Sequence, residues 1–418
     1  MPLSMNRSQA AGLVILFVGA LVTTLVFAES SDAPRDPVTR LAGQLERGER
    51  TLDYRDGVGY LPSLLEQLDI RVDSQTLVFS KTSFQQMLIN PKNPRALYFN
   101  DEVAVGNVPG GDVYELLALE PTQGAVFYTL KIAQAERPQL QRRGIECLFC
   151  HALGNQGAPS LFVTSVIPAA DGTPAYTGTF LATIDHRTPF DERWGGWYVT
   201  GKHGSQRHMG NAVAPDPSHP LDLDLTNTQN LTSLDGRFDA SKYLTASSDI
   251  VALMTLEHQV GAVNRINALR HQYDLAKVGG LKDADGGRLD SDIDDLVAYL
   301  LFVDEAPFTD RVEGVSMFTR TFPERGPRDK QGRSLRDFDL TTRLFRYPLS
   351  YMVYSDQLNG LPGPIRERIY RRLYDVLTGK DARKKYAVRS AADRQAILQI
   401  LVETKTDLPP YWMGSSIQ

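Results

Sequence analysis

Cys147-Leu-Phe-Cys150-His151 is the stretch of this chain whose residue types and spacing promise the most specific chemistry. Two thiols three positions apart on one helical turn can each form a thioether with a haem vinyl group. The histidine that follows then falls beneath the iron as an axial ligand. A five-residue pattern can arise by chance, but this chain has only two cysteines and both lie in it. Sulfur with a single use fits an oxidising compartment, where stray thiols are a hazard. Two other chemistries share the pattern. A redox-active C-x-x-C pair would open a helix after a strand in a small α/β unit, and a zinc site would need two more ligands nearby.

Haem iron has a second axial position, and its occupant decides what the iron does. A thioether raises the potential, a second imidazole lowers it, and an open position admits peroxide or other small ligands. Residues 185–211 hold three of the seven histidines and two of the three tryptophans on a glycine-punctuated stretch, as functional loops on a rigid scaffold do. Met209 leads the candidates for second iron ligand, with His208 beside it. His203 lies in the same loop, and His258 with Met254 shares a helix face farther on. Each also has a plain packing reading: Met254 as core filler, His258 as a hydrogen-bonded core histidine, His203 and His208 as loop anchors. Trp194 and Trp197 would wall the haem or simply pack the core. Arg142, Arg143, Arg187, Arg193 and Arg207 are close enough in sequence to neutralise haem propionates.

The N-terminus carries an address. Arg7 precedes an apolar run from Ala10 to Ala28, and Val26-Phe27-Ala28 has the pattern signal peptidase cuts after. Residues 1–28 are therefore expected to be a signal peptide, which places the mature chain in the periplasm or beyond. Left uncleaved, the same run would be a membrane tether. Covalent haem is attached outside the cytoplasm, so address and motif agree.

At 418 residues the chain exceeds a minimal electron carrier. Its 42% hydrophobic and 23% charged residues suit a globular protein with a sizeable core, and a net charge of −5 without a basic stripe excludes nucleic acid as a partner. Short β-branched and aromatic runs at 76–79, 96–99, 103–105, 113–119 and 125–130 predict a β-rich module ahead of the motif. Further strands are expected at 161–167 and 177–184. Leucine and valine spacing predicts helices over 38–47, 61–68, 249–276, 293–303, 365–377 and 391–402. The fold class expected is α+β: a β-rich N-terminal region at 29–140, a haem-binding region at 141–276, and a mainly helical region at 277–418, with haem between them. Alternating carboxylates from Asp283 to Asp294 suggest calcium, but Arg288 stands where an EF-hand needs glycine, so an acidic turn capping the next helix is the better reading.

The C-x-x-C-H motif behind an export signal resembles the c-type cytochromes. Asn93 to Asp101, Trp194 to Asn211, and Gly326 to Asp329 with Arg333 to Asp337 are also similar to large single-haem exported bacterial proteins. The resemblance implies one covalent haem c on Cys147 and Cys150, with His151 on the iron. It departs from small carriers in size, and from di-haem peroxidases in lacking a second C-x-x-C-H. Three functions follow as expectations: periplasmic electron transfer between redox partner proteins; a haem peroxidase or small-molecule oxidase with an open iron site and a histidine proton shuttle; or a sensor or structural subunit ordered by haem.

Overall fold

The computed structural model describes residues 35–144, Cys147, His151, 158–175, 182–278, 286–386 and 390–414. The expected signal segment and Cys150 lie outside the described residues. Two short helices, α1 (Pro37–Glu46) and α2 (Leu61–Gln67), come first. Asp36 caps α1 by accepting the Val38 and Thr39 amides at 2.8 and 3.0 Å, and Pro37 takes the first helical position, where no N–H is needed.

The first five strands fall on the β-branched and aromatic runs read from the sequence. β1 (Thr76–Val78), β2 (Arg95–Phe99), β3 (Val103–Asn107), β4 (Val113–Glu120), β5 (Gly124–Lys131) and β6 (Leu140–Arg143) form an antiparallel meander, and β9 (Trp197–Tyr198) returns to pair with β1. β7 (Thr164–Ser165) and β8 (Ala182–Thr183) make a separate pair. They are shorter than the runs predicted at 161–167 and 177–184, and 177–181 lie outside the described residues.

Because side chains alternate across a strand, the large sheet faces two cores. Ala96, Tyr98, Val105, Leu116, Val126 and Tyr128 pack against α1 and α2. Phe99, Leu119, Ala125 and Phe127 face the helical half. The fold is thus α+β, with the antiparallel sheet in the N-terminal half and helices in the C-terminal half.

That half is built on α3 (Ile250–Val278), in which every residue from 250 to 260 is buried. A helix enclosed all round has no polar stripe to give water. Asp249 caps it through the Val251 amide at 2.8 Å, and its other oxygen holds the Val315 and Ser316 amides, each at 2.7 Å. Around α3 lie α4 (Gly286–Leu300), α5 (Phe318–Glu324), α6 (Asp356–Asn359), α7 (Gly363–Leu377) and α8 (Ala391–Thr404). α4 starts seven residues earlier than expected, so Asp290 and Asp292, expected in a turn before it, lie inside it along with Asp294. Cations take up two of them: Asp290 pairs with Arg368, and Asp294 with Arg383 at 2.7 Å and with Lys385. Among the described residues, no helix is long and apolar enough to cross a membrane.

Candidate functional site

His151 is held from both ends of its neighbourhood. Its Nδ1 lies 2.6 Å from the Ser160 carbonyl oxygen, while the Ser160 amide and hydroxyl both donate to the His151 carbonyl at 2.8 and 2.6 Å. A carbonyl only accepts, so Nδ1 carries the hydrogen and Nε2 keeps the lone pair. The ring rests against Phe127 of β5 and stacks on Phe162, with centroids 4.6 and 5.4 Å away. Burial lowers its pKa and outweighs the bond to Ser160, so the imidazole is neutral near pH 7. That is the protonation state and tautomer an Nε2 metal ligand needs, and a backbone carbonyl on the other nitrogen is its usual orienting partner.

Helix α3 sets the position of this loop. Asn264 accepts the Leu161 amide and donates to the Leu161 carbonyl, both at 2.8 Å, replacing the hydrogen bonds of a strand partner. Asn267 donates to the Pro159 carbonyl at 3.3 Å. Gly124, at φ +79 in the β4–β5 turn, lets that asparagine close in, since a Cβ there would stand 3.1 Å from its amide. Asn264→Leu is expected to cost about 2 kcal/mol or more, because it strands both polar groups of a buried peptide. Ser160→Ala is expected to cost about 1 kcal/mol, because the Ser160 amide still serves the His151 carbonyl. Urea midpoints of the two variants check the order.

Cys147 is half-buried and packs against the helical core, its amide donating to Gly144 O at 3.1 Å. Beside His151 the inner face of the sheet is a shelf of half-exposed residues, Leu97, Ala104 and Leu117, while the opposite face is sealed. At the shelf's edge Arg95 pairs with Glu115 at 2.5 Å, and Arg95 Nε is buried with no hydrogen-bond partner among the described residues. The site thus sets a neutral imidazole with its lone pair available beside an apolar face that ends in an ion-paired arginine.

The residues of the 185–211 window assemble elsewhere, around α3. Arg193 Nη1 meets Glu257 Oε1 at 2.5 Å, and the Trp194 indole donates to Glu257 Oε2 at 2.9 Å. Arg193 also donates to the His186 and Thr188 carbonyls at 3.0 and 2.8 Å. Trp194 sits at φ +66, a costly conformation for a bulky residue that the Glu257 bond helps to hold. His258 Nδ1 lies 2.9 Å from His186 Nδ1, and its Nε2 lies 2.7 Å from Ser350 Oγ. His203 uses both nitrogens on backbone, with Nδ1 donating to Gln206 O at 2.7 Å and Nε2 accepting the Asn230 amide at 2.9 Å. Met254 is core filler, and Trp197 is buried with its indole donating to Thr164 O at 2.7 Å.

His208 Nδ1 accepts the Gly210 amide at 3.0 Å, and its ring touches Trp194, His203 and Phe190. Met209 Sδ receives a hydrogen bond from Ser165 Oγ at 3.7 Å. None of these partners is among those holding His151. Of the arginines nominated for propionates, Arg193 is committed to Glu257, Arg187 to Asp295 and Val303 O, and Arg142 to Gln123. Sequence reasoning passed over Arg95, Glu115, Ser160 and Asn264. A signal was present for two of them: Arg95 is in phase with inward-facing Leu97 and Phe99, and Glu115 with Leu117 and Leu119. The chain matches no family model, no curated protein and no solved structure.

Proposed function

We propose that this chain is an exported, single-haem c-type cytochrome that transfers electrons in the periplasm to or from redox partner proteins. The observation that carries the reading is the Cys147-Leu-Phe-Cys150-His151 motif together with the His151 imidazole, whose Nδ1 is tied to Ser160 so that Nε2 is the ligating nitrogen. Cys147 and Cys150 would anchor the haem, and Phe127, Phe162 and the Leu97, Ala104 and Leu117 shelf would wall it. The haem supplies a one-electron store. The protein fixes the imidazole's tautomer and orientation, keeps water from one side of it, and sets the charge around it. Met209 and His208 remain the proposed residues for the second axial position.

Expressed with its leader in a host that matures c-type cytochromes, the full chain should gain the mass of one haem and show a haem spectrum. The Cys147→Ala, Cys150→Ala double variant should carry the bare polypeptide mass. A colourless, unmodified wild-type protein from that host sinks the reading. A low-spin ferric spectrum with a long-wavelength sulfur-to-iron band, lost in Met209→Ala, supports electron transfer. High-spin iron that takes up cyanide or peroxide favours the alternative, a peroxidase or oxidase.

A further inference from the structure

One donor at the shelf edge has no partner among the described residues. Arg95 reaches along the inner face over Gly106, where a Cβ would lie 2.5 to 2.9 Å from the guanidinium, so only glycine lets the cation lie flat on the sheet. Of its donors, Nη2 serves Glu115 while Nε, buried, serves nothing among the described residues. Glu115 is itself braced by the Gln85 amide at 2.9 Å. The register places the pair beside the motif. Phe127, which carries the His151 ring, pairs with Leu117, and Glu115 lies two residues along the same face of β4, about 7 Å away. A half-buried guanidinium with one N–H left without a partner, at the edge of an otherwise apolar shelf, is the kind of donor a carboxylate needs when it is drawn out of water.

We propose that Arg95 is the propionate anchor of the bound haem, with Glu115 holding the guanidinium in place and offsetting part of its charge. The proposal rests on the haem reading above and assigns the role to an arginine remote from the motif in sequence. Arg95 acts here through its charge and its free N–H, so the two partners should move the iron's potential in opposite directions. A cation near the haem disfavours the more positive ferric state, and its removal stabilises that state.

The test uses full-length protein matured in the export-competent host, with potentiometric titration followed by absorbance. Arg95→Gln should keep covalent haem but shift the redox equilibrium about tenfold toward ferric, ~59 mV lower for a one-electron couple. Glu115→Gln should shift it the other way, and Arg95→Lys should restore most of the wild-type potential while lacking the planar fork. Should Arg95→Gln fail to accumulate, Glu115→Gln and Arg95→Lys still decide: a raised potential in the first and a near-native one in the second support the anchor. Haem-loaded variants with unchanged potentials, or both neutral variants shifted the same way, overturn it. Wild-type protein without haem removes the cytochrome reading, and this one with it.

Discussion

Stability is expected to fall steeply as the pH drops below about 6.5. Burial holds His208 and His258 down to about 3, and His186 well below its ordinary value, with neighbouring cationic groups adding to the effect. A group with a depressed folded-state pKa gives stability that is complete above its unfolded value, here 6.5, and is lost as pH falls toward its folded value. Each such histidine costs about 1.4 kcal/mol per pH unit over that range. Glu257 works the other way. Burial pushes it up to about 7 despite Arg193, so its share is complete below 4.5 and is lost as pH rises to 7. One carboxyl therefore offsets one of three histidines between pH 6.5 and 4.5, leaving a net loss of about 3 kcal/mol per pH unit. A domain's stability of roughly 5–15 kcal/mol does not survive many such units. Urea midpoints measured from pH 8 down to 4 should drop accordingly, and His208→Gln should flatten the slope by one proton. A midpoint that holds steady or rises from pH 6.5 to 5 contradicts the account.

Those histidines also explain how much of the molecule was legible in its sequence. Strands β1 to β5 were readable because each buries two faces with residues of alternating role. β6 was not, since Leu140–Arg143 is an edge strand whose polar side chains leave no hydrophobic period, and β9 is too short to carry one. The window around Trp194 and His208 stands out in composition. Much of its density builds a buried polar network with Glu257 and His258 of α3, and composition cannot tell a polar network inside a core from a ligand set. Both need the same residue types, and only the partner of each nitrogen separates them. At the motif the reverse holds. Cys147 and His151 stand out by type, while Asn264, which holds the Leu161 backbone, and Ser160, which holds His151, look ordinary because their roles depend on contacts across 103 and 9 residues of chain.

Arg193→Met is expected to cost about 3–5 kcal/mol, the largest single-residue effect on stability in the helical half. Arg193 is 2% exposed and Glu257 is completely buried. Removing the guanidinium leaves the carboxylate without its countercharge and also strands the His186 and Thr188 carbonyls that Arg193 serves. The carboxyl's escape is to bind a proton, so its already raised pKa should climb further in the variant. By the same sign rule, the variant's deficit should be largest above pH 7 and shrink toward pH 5, opposite in slope to the histidine effect. Glu257→Gln keeps one acceptor oxygen but turns an amide NH2 toward either Arg193 or the Trp194 indole, so it too is expected to be destabilising. An Arg193→Met, Glu257→Leu double variant should recover much of the loss, because two apolar side chains of similar volume remove the desolvation cost of both charges. Chemical denaturation at pH 8 and pH 5.5 completes the cycle. A coupling energy near zero, or a deficit in Arg193→Met that does not change between the two pH values, would show that the pair contributes packing rather than charge.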